Sequence, residues 1–273
     1  WCFNLANLNT INVASENNRY KLYDDKFVIG KSNPSKEKYD VLVFCVRDIE
    51  KVEIPDFIEI ISPYCFQLCK KLVNVEFTER SELRIISKGA FDSTFEIESI
   101  SIPQHVTHIC EEAFQFCNNL KHVEIQPNSE LQTIEKKAFF ESLISEIRIP
   151  SSLIDLKILW CYRVNNLTKI IMMPNNPRYK LYNDELILGK SDLSKENYDV
   201  LVFASRNIKS VKIPDFVEII GNSSFLDCKM LNEVEISENS KLRIIEAEAF
   251  LGSSITSIKI PPSLECKFRT SNN

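Results

Sequence analysis

The chain repeatedly writes an apolar–polar–apolar triplet such as I-x-I, led by a polar residue and in five places closed by Pro. The first member falls at Ile11, Val52, Val75, Ile100, Val123, Ile147, Ile170, Val211, Val234 and Ile258, so the steps are 41, 23, 25, 23, 24, 23, 41, 23 and 24 residues. Side chains alternate along a strand, so the outer members of each triplet face one side and the middle residue the other. Each triplet therefore predicts one short strand. A unit of about 23 residues is too short to close a core of its own, yet long enough for one turn of a coil that lays the next strand parallel to the last. The pattern predicts a mostly β solenoid with a parallel sheet of about ten short strands, and turns with little helix on the return side.

Two further ladders recur between the triplets. One is aromatic, at Phe3, Phe66, Phe91, Phe114, Phe139, Tyr162, Phe225 and Phe250, each preceded by a small residue: Cys2, Cys65, Ala90, Ala113, Ala138, Cys161, Ser224 and Ala249. The other is aliphatic, at Ile61, Ile86, Ile109, Ile134, Ile220 and Ile245. Both predict stacked rungs inside the coil rather than chemistry. Pro55, Pro103, Pro150, Pro214 and Pro261 lack an N–H and fix φ, which ends each strand and turns the chain. With only 5 Gly in the chain, the corners are expected to rely on Pro, Asn and Ser.

A longer period lies above the short one. Residues 1–91 align without a gap on 160–250, with about half the positions identical. The organisation this implies is one solenoid over 1–273, made of a super-repeat at 1–159 and a partial second copy at 160–273. Both 41-residue steps contain an enlarged turn, about 19–50 and 178–209, carrying about 18 extra residues. The first reads as a β-hairpin, with Phe27 to Ile29 as one strand, Gly30 to Lys38 as the connection and Val41 to Phe44 as the return. Both turns contain Gly-Lys-Ser, the end of a phosphate-binding loop. The first Gly of that motif is replaced by Asp25 and Asp184, and turn residues follow where a helix is needed. No nucleotide site is expected there.

The pattern L-x-x-I-x-I-P followed by A-F-x-x-C, with its close variants in YCFQLC to Cys69, EAFQFC to Cys117 and SSFLDC to Cys228, resembles the BspA-like class of leucine-rich repeats over nearly the whole chain. Proteins of that class occur on bacterial surfaces and in parasitic protozoa. The resemblance implies a leucine-rich-repeat solenoid with hairpin-bearing units, a cell-surface or secreted location, and adhesion to host or matrix proteins.

Composition narrows the chemistry. A net charge of −5 on 273 residues argues against nucleic acid as a partner, since nonspecific affinity for it comes from clustered Lys and Arg. No apolar run reaches the roughly 18 residues needed to span a bilayer. The opening Trp1-Cys2-Phe3 falls inside a repeat, so the chain reads as a piece of a longer protein. Nine Cys is an odd number, and adjacent coils do not place Cys on the same rung, so buried thiols are expected rather than a disulfide framework. His105, His108 and Cys110 have metal-like spacing, but no fourth ligand accompanies them. No Ser-His-Asp or Cys-His arrangement presents itself, and neither a catalytic residue nor a cofactor is expected. Sequons at Asn166 and Asn222 bear on the protein only if it is secreted.

Binding is expected along the exposed sheet, where the middle residue of every triplet faces out. That row contains Glu53, Glu76, Glu124, Arg148, Lys212, Glu235 and Lys259, acidic first and mostly basic later. The function expected is non-enzymatic protein recognition by a fragment of a surface adhesin or antigen. The alternative is an intracellular interaction scaffold of the same fold.

Overall fold

The computed structural model describes residues 3–265. The Cys2 rung of the small-residue ladder therefore lies outside the described residues, as do Trp1 and Cys266. The chain divides into two compact units, 1–164 and 165–273. Among the described residues each unit is a β-solenoid without helix.

In the first unit the triplets form the parallel strands Lys51–Ile54, Asn74–Phe77, Ser99–Ile102, His122–Ile125 and Glu146–Ile149. Burial alternates along them as the pattern requires, with Val52, Ile54, Ile100, Ile102, Val123 and Ile125 inside. In the second unit the triplets form Lys169–Met172, Ser210–Lys212 and Glu233–Glu235. Eight of the ten triplets are therefore strands. The two at Ile11 and Ile258 are irregular, although Ile11, Val13 and Ile258 still pack against buried side chains.

A second parallel sheet runs along the return side, which the short apolar pairs there did not announce as strands. In the first unit it is built from Ile60–Ile61, Ile85–Ile86, His108–Ile109, Thr133–Ile134 and Asp155–Leu156. The ladder Ile61, Ile86, Ile109, Ile134 is its inward row, with Leu156 as the next rung. Each enlarged turn continues this sheet. It is a three-stranded meander rather than a two-stranded hairpin, because Tyr20–Tyr23 pairs antiparallel with Phe27–Gly30, which in turn pairs with Val41–Cys45. Val41–Cys45 then lies parallel to Ile60–Ile61 and joins meander to coil. The second unit repeats the arrangement with Tyr179–Tyr182, Leu186–Gly189, Val200–Ala204 and Ile219–Ile220.

The aromatic ladder forms the core. Phe66, Phe91, Phe114 and Phe139 are buried and stack with centroids 4.9, 5.2 and 5.5 Å apart and planes within 5°. These spacings follow the strand separation of about 4.8 Å. Phe225 and Phe250 repeat the stack at 4.9 Å. Two expected rungs are displaced. Tyr162 stacks on Phe140 at 5.3 Å instead of continuing Phe139, and Phe3 is exposed against Tyr64. The reason is a slip of one residue: left-handed corners at Leu159 and Arg163 match those at Lys137 and Glu141, so Cys161 takes the ladder position. Trp160 takes the small-residue position, with its ring edge-on to Phe139 at 6.4 Å.

The corners correct a second expectation. Each prolyl carbonyl after a triplet does accept a turn-closing N–H, as from Ile58 to Pro55 at 3.0 Å and from Val217 to Pro214 at 2.9 Å. The opposite corner, however, uses pairs of left-handed residues four apart, such as Tyr64 with Leu68 and Glu112 with Phe116. Such a conformation costs about 1 kcal/mol or more for a residue with a Cβ. Here it aims the N–H at the next coil: Tyr64 donates to the Lys88 carbonyl at 3.1 Å and Leu68 to Asp92 at 3.0 Å. Coil-to-coil hydrogen bonding thus holds the strained corner in place.

Candidate binding face and the enlarged turn

On the exposed side of the first unit the triplets lie in two parallel sheets, Lys51–Ile54 with Asn74–Phe77, and Ser99–Ile102 with His122–Ile125 and Glu146–Ile149, whose paired strands present their middle residues outward. Glu53 stands directly beside Glu76 on adjacent parallel strands, with Lys51 beside Asn74. Ser101 stands beside Glu124. Glu53, Glu76 and Glu124 are exposed and form no ion pair among the described residues. Like charges in direct register oppose strand pairing, and on this rung only Asn74, donating from Nδ2 to Glu76 at 2.6 Å, offsets the repulsion among the described residues. Arg148 departs from the expected open row: it is half-buried and donates from Nη1 to the Ile125 carbonyl at 3.3 Å. It shares a shallow depression with His122, Glu124 and Glu146.

In the second unit the residues expected to make the row basic are neutralised within the unit. Lys212 pairs in register with Glu235 at 2.9 Å, a contact that raises the lysine above its ordinary range. Lys259, which is not on a strand, pairs with Glu238 at 2.9 Å, and that contact lowers the carboxyl of Glu238. The expected basic end therefore carries little net charge. The acidic rungs Glu53, Glu76 and Glu124 are the part of the predicted row that stands unbalanced.

The Gly-Lys-Ser turn is built around a carboxylate. Asp40 is fully buried and accepts the Ser32 N–H at 2.8 Å, the Ser32 hydroxyl at 2.5 Å and the Lys36 ammonium at 2.5 Å. Its carbonyl accepts the N–H groups of Glu59 and Ile60 and ties the turn to the coil. Burial alone would raise the Asp40 carboxyl; Lys36 and Ser32 outweigh it and hold the group below its ordinary range. Asp199, Ser191 and Lys195 repeat the arrangement at 2.8, 2.6 and 2.5 Å. The Ser N–H and hydroxyl that a phosphate would need are thus already committed. Gly30 has its own reason: a Cβ there would come within 2.9 Å of the Tyr20 ring and of Val43.

Next to each meander a buried arginine fixes the backbone. Arg47 stacks over Phe44 at 4.3 Å and donates to the carbonyls of Cys65 at 2.6 Å, Cys45 at 3.2 Å and Leu5 at 3.1 Å. Arg206 over Phe203 at 4.5 Å is its counterpart. No local sequence pattern signals these clamps, yet the Arg and Phe side chains that form them are identical in the two copies. The metal-like run is dispersed: His105 Nδ1 lies 2.9 Å from Glu130 and His108 Nδ1 2.9 Å from Thr107. No cluster of three metal-ligating side chains occurs among the described residues. Among those residues, too, no helix is long and apolar enough to cross a membrane.

Parallel strands at leucine-rich-repeat spacing, an aromatic ladder and Pro-led turns define a leucine-rich-repeat solenoid. The BspA-type leucine-rich repeat region matches residues 41–176 and 197–269 in six copies, and the chain belongs to that family. No curated protein matches it. Among solved structures, the chain is similar in fold to the pneumococcal vaccine antigen PcpA, with a TM-score of 0.69, 23% identity, and coverage of 84% of this chain and 54% of that one. It is also similar to a leucine-rich cell surface protein of Faecalibacterium prausnitzii, with a TM-score of 0.61, 19% identity, and coverage of 90% and 81%. A leucine-rich-repeat protein of Bacteroides ovatus follows at TM-score 0.57, 20% identity, and coverage of 90% and 58%. The chain spans about half the length of the pneumococcal antigen.

Proposed function

We propose that the chain is a non-enzymatic recognition module of a cell-surface or secreted protein, and that it binds host or matrix proteins through the exposed sheet of its first unit. The observation that carries this reading is the Glu53–Glu76 rung: two exposed carboxylates in direct register, with Glu124 further along the same face. Two like charges held together at the surface favour a partner that neutralises them. The partner surface complementary to it is basic. Family membership and the surface-protein character of the structural neighbours support the location.

The test is binding of the purified chain to a panel of purified host-surface and matrix proteins, read by biolayer interferometry. The wild type should bind at least one saturably, and Glu53→Lys, Glu76→Lys and Glu124→Lys together should weaken it by about tenfold or more through like-charge juxtaposition. A triple variant that melts like the wild type and binds unchanged overturns the assignment, as does the absence of any partner.

A further inference from the structure

The two enlarged turns are copies of one another, and most of their identities have a structural cause. Gly30 and Gly189 make room for Tyr20 and Tyr179. Ser32, Lys36 and Asp40 close the turn, as Ser191, Lys195 and Asp199 do. Lys21, Lys31 and Tyr39 are also identical to Lys180, Lys190 and Tyr198, but no fold requirement accounts for the lysines. In the first copy Lys21 Nζ lies 4.6 Å and Lys31 Nζ 5.0 Å from the centroid of the Tyr39 ring, and Arg19 lies 5.7 Å from that of Tyr20. In the second, Lys190 Nζ lies 5.2 Å from Tyr198. None of these four lysines is in an ion pair among the described residues, whereas Lys36 and Lys195 each are. The outward sheet residues are mixed: Lys51 becomes Ser210 and Glu53 becomes Lys212 between copies, while Glu76 persists as Glu235.

We propose that the Lys21–Tyr39–Lys31 patch of the first unit, with a partial counterpart at Lys190 and Tyr198 in the second, is a binding site for a linear polysaccharide carrying regularly spaced anionic groups. The ring orients two ammonium groups by their attraction to its face, leaving N–H donors for sulfate or carboxylate oxygens. The ring is engaged by the ammonium groups, so anionic substituents rather than bare sugar faces are what the patch recognises. The same Lys, Tyr and Lys recur at matching positions in both copies, which suits a ligand that repeats itself. The chain as a whole carries −5, so affinity for a polyanion resides in these local patches rather than in bulk charge. Asp192 replaces Asn33 and its carboxylate interacts with Arg178, which makes the second patch the weaker of the two.

The proposal is independent of the sheet-face reading and is tested with heparin-derived oligosaccharides, using calorimetry on the full chain. Binding should be present at low salt, fall as salt rises and be absent with neutral dextran. Removing the first patch with Lys21→Gln and Lys31→Gln should weaken binding by about tenfold or more through the loss of two charge-assisted contacts. Lys180→Gln with Lys190→Gln should cost less, and all four together should abolish binding. The thermal midpoint of each variant controls for folding, and the Glu53, Glu76 and Glu124 charge reversals should not weaken oligosaccharide binding. Undiminished binding by a folded four-site variant overturns the proposal, as does no binding by the wild type, or tighter binding to a poly-glutamate peptide than to the oligosaccharide.

Discussion

The Asp40 carboxylate receives both the N–H and the hydroxyl of Ser32, at 2.8 and 2.5 Å, and the distances recur 159 residues later between Asp199 and Ser191 at 2.8 and 2.6 Å. A buried carboxylate satisfied this fully is the keystone of the turn, so Asp40→Asn should destabilise the protein by about 2 to 3 kcal/mol. Urea unfolding with amide exchange across residues 31–39 reads the loss directly.

The same carboxylate sets a pH dependence. Its folded pKa lies below the ordinary value of 3.8, so its stabilisation is complete above that value and is lost as pH falls through the lower, folded pKa. The stability gap between wild type and Asp40→Asn should therefore be constant from neutrality down to about pH 4 and close only below it. Urea midpoints taken across pH 2 to 7 check this.

Gly30 and Tyr20 should behave as a coupled pair. Gly30→Ala pushes a Cβ into the Tyr20 ring and should cost about 1 to 3 kcal/mol. In Tyr20→Ala the added cost of Gly30→Ala should shrink, and a double-mutant cycle measures the difference.

The phenylalanine stack should be the most sensitive part of the core. Phe91 lies between Phe66 and Phe114 with no exposed surface, so Phe91→Ala should cost about 3 to 5 kcal/mol. Because repeat units are stabilised by their neighbours, the loss should also lower the cooperativity of unfolding.

Thiol reactivity should follow burial. Burial pushes Cys117 up to about 12 and Cys110, which is only partly covered, up to about 11 with help from Glu135. At pH 8 both should resist alkylation in the folded protein and react fully in denaturant; mass mapping after iodoacetamide reads each site separately.

Much of the solenoid is legible in the sequence because its causes are local and repeated. A triplet period of 23 to 25 residues allows few folds, and the inward rows Phe66 to Phe139 and Ile61 to Ile134 follow from it. What escaped depends on pairing between distant residues. The one-residue slip at Trp160 is set by left-handed corners at Leu159 and Arg163, which no residue type there signals. The return sheet arises from two-residue strands too short to show a period. At the candidate site, the acidic rung Glu53–Glu76 could be read from alternation alone. The neutralising partners of Lys212 and Lys259 could not, since an ion pair across coils depends on rotamers rather than on spacing.

The central claim, that the exposed sheet of the first unit is the recognition surface, is tested most directly by carboxylate footprinting of the chain with and without a bound partner protein. Carbodiimide-driven labelling at Glu53, Glu76 and Glu124 should fall on complex formation, while Glu96 and Glu98, which are exposed but are not among the triplets' outward residues, label as before. Unchanged labelling at all three, with protection elsewhere, would contradict the account.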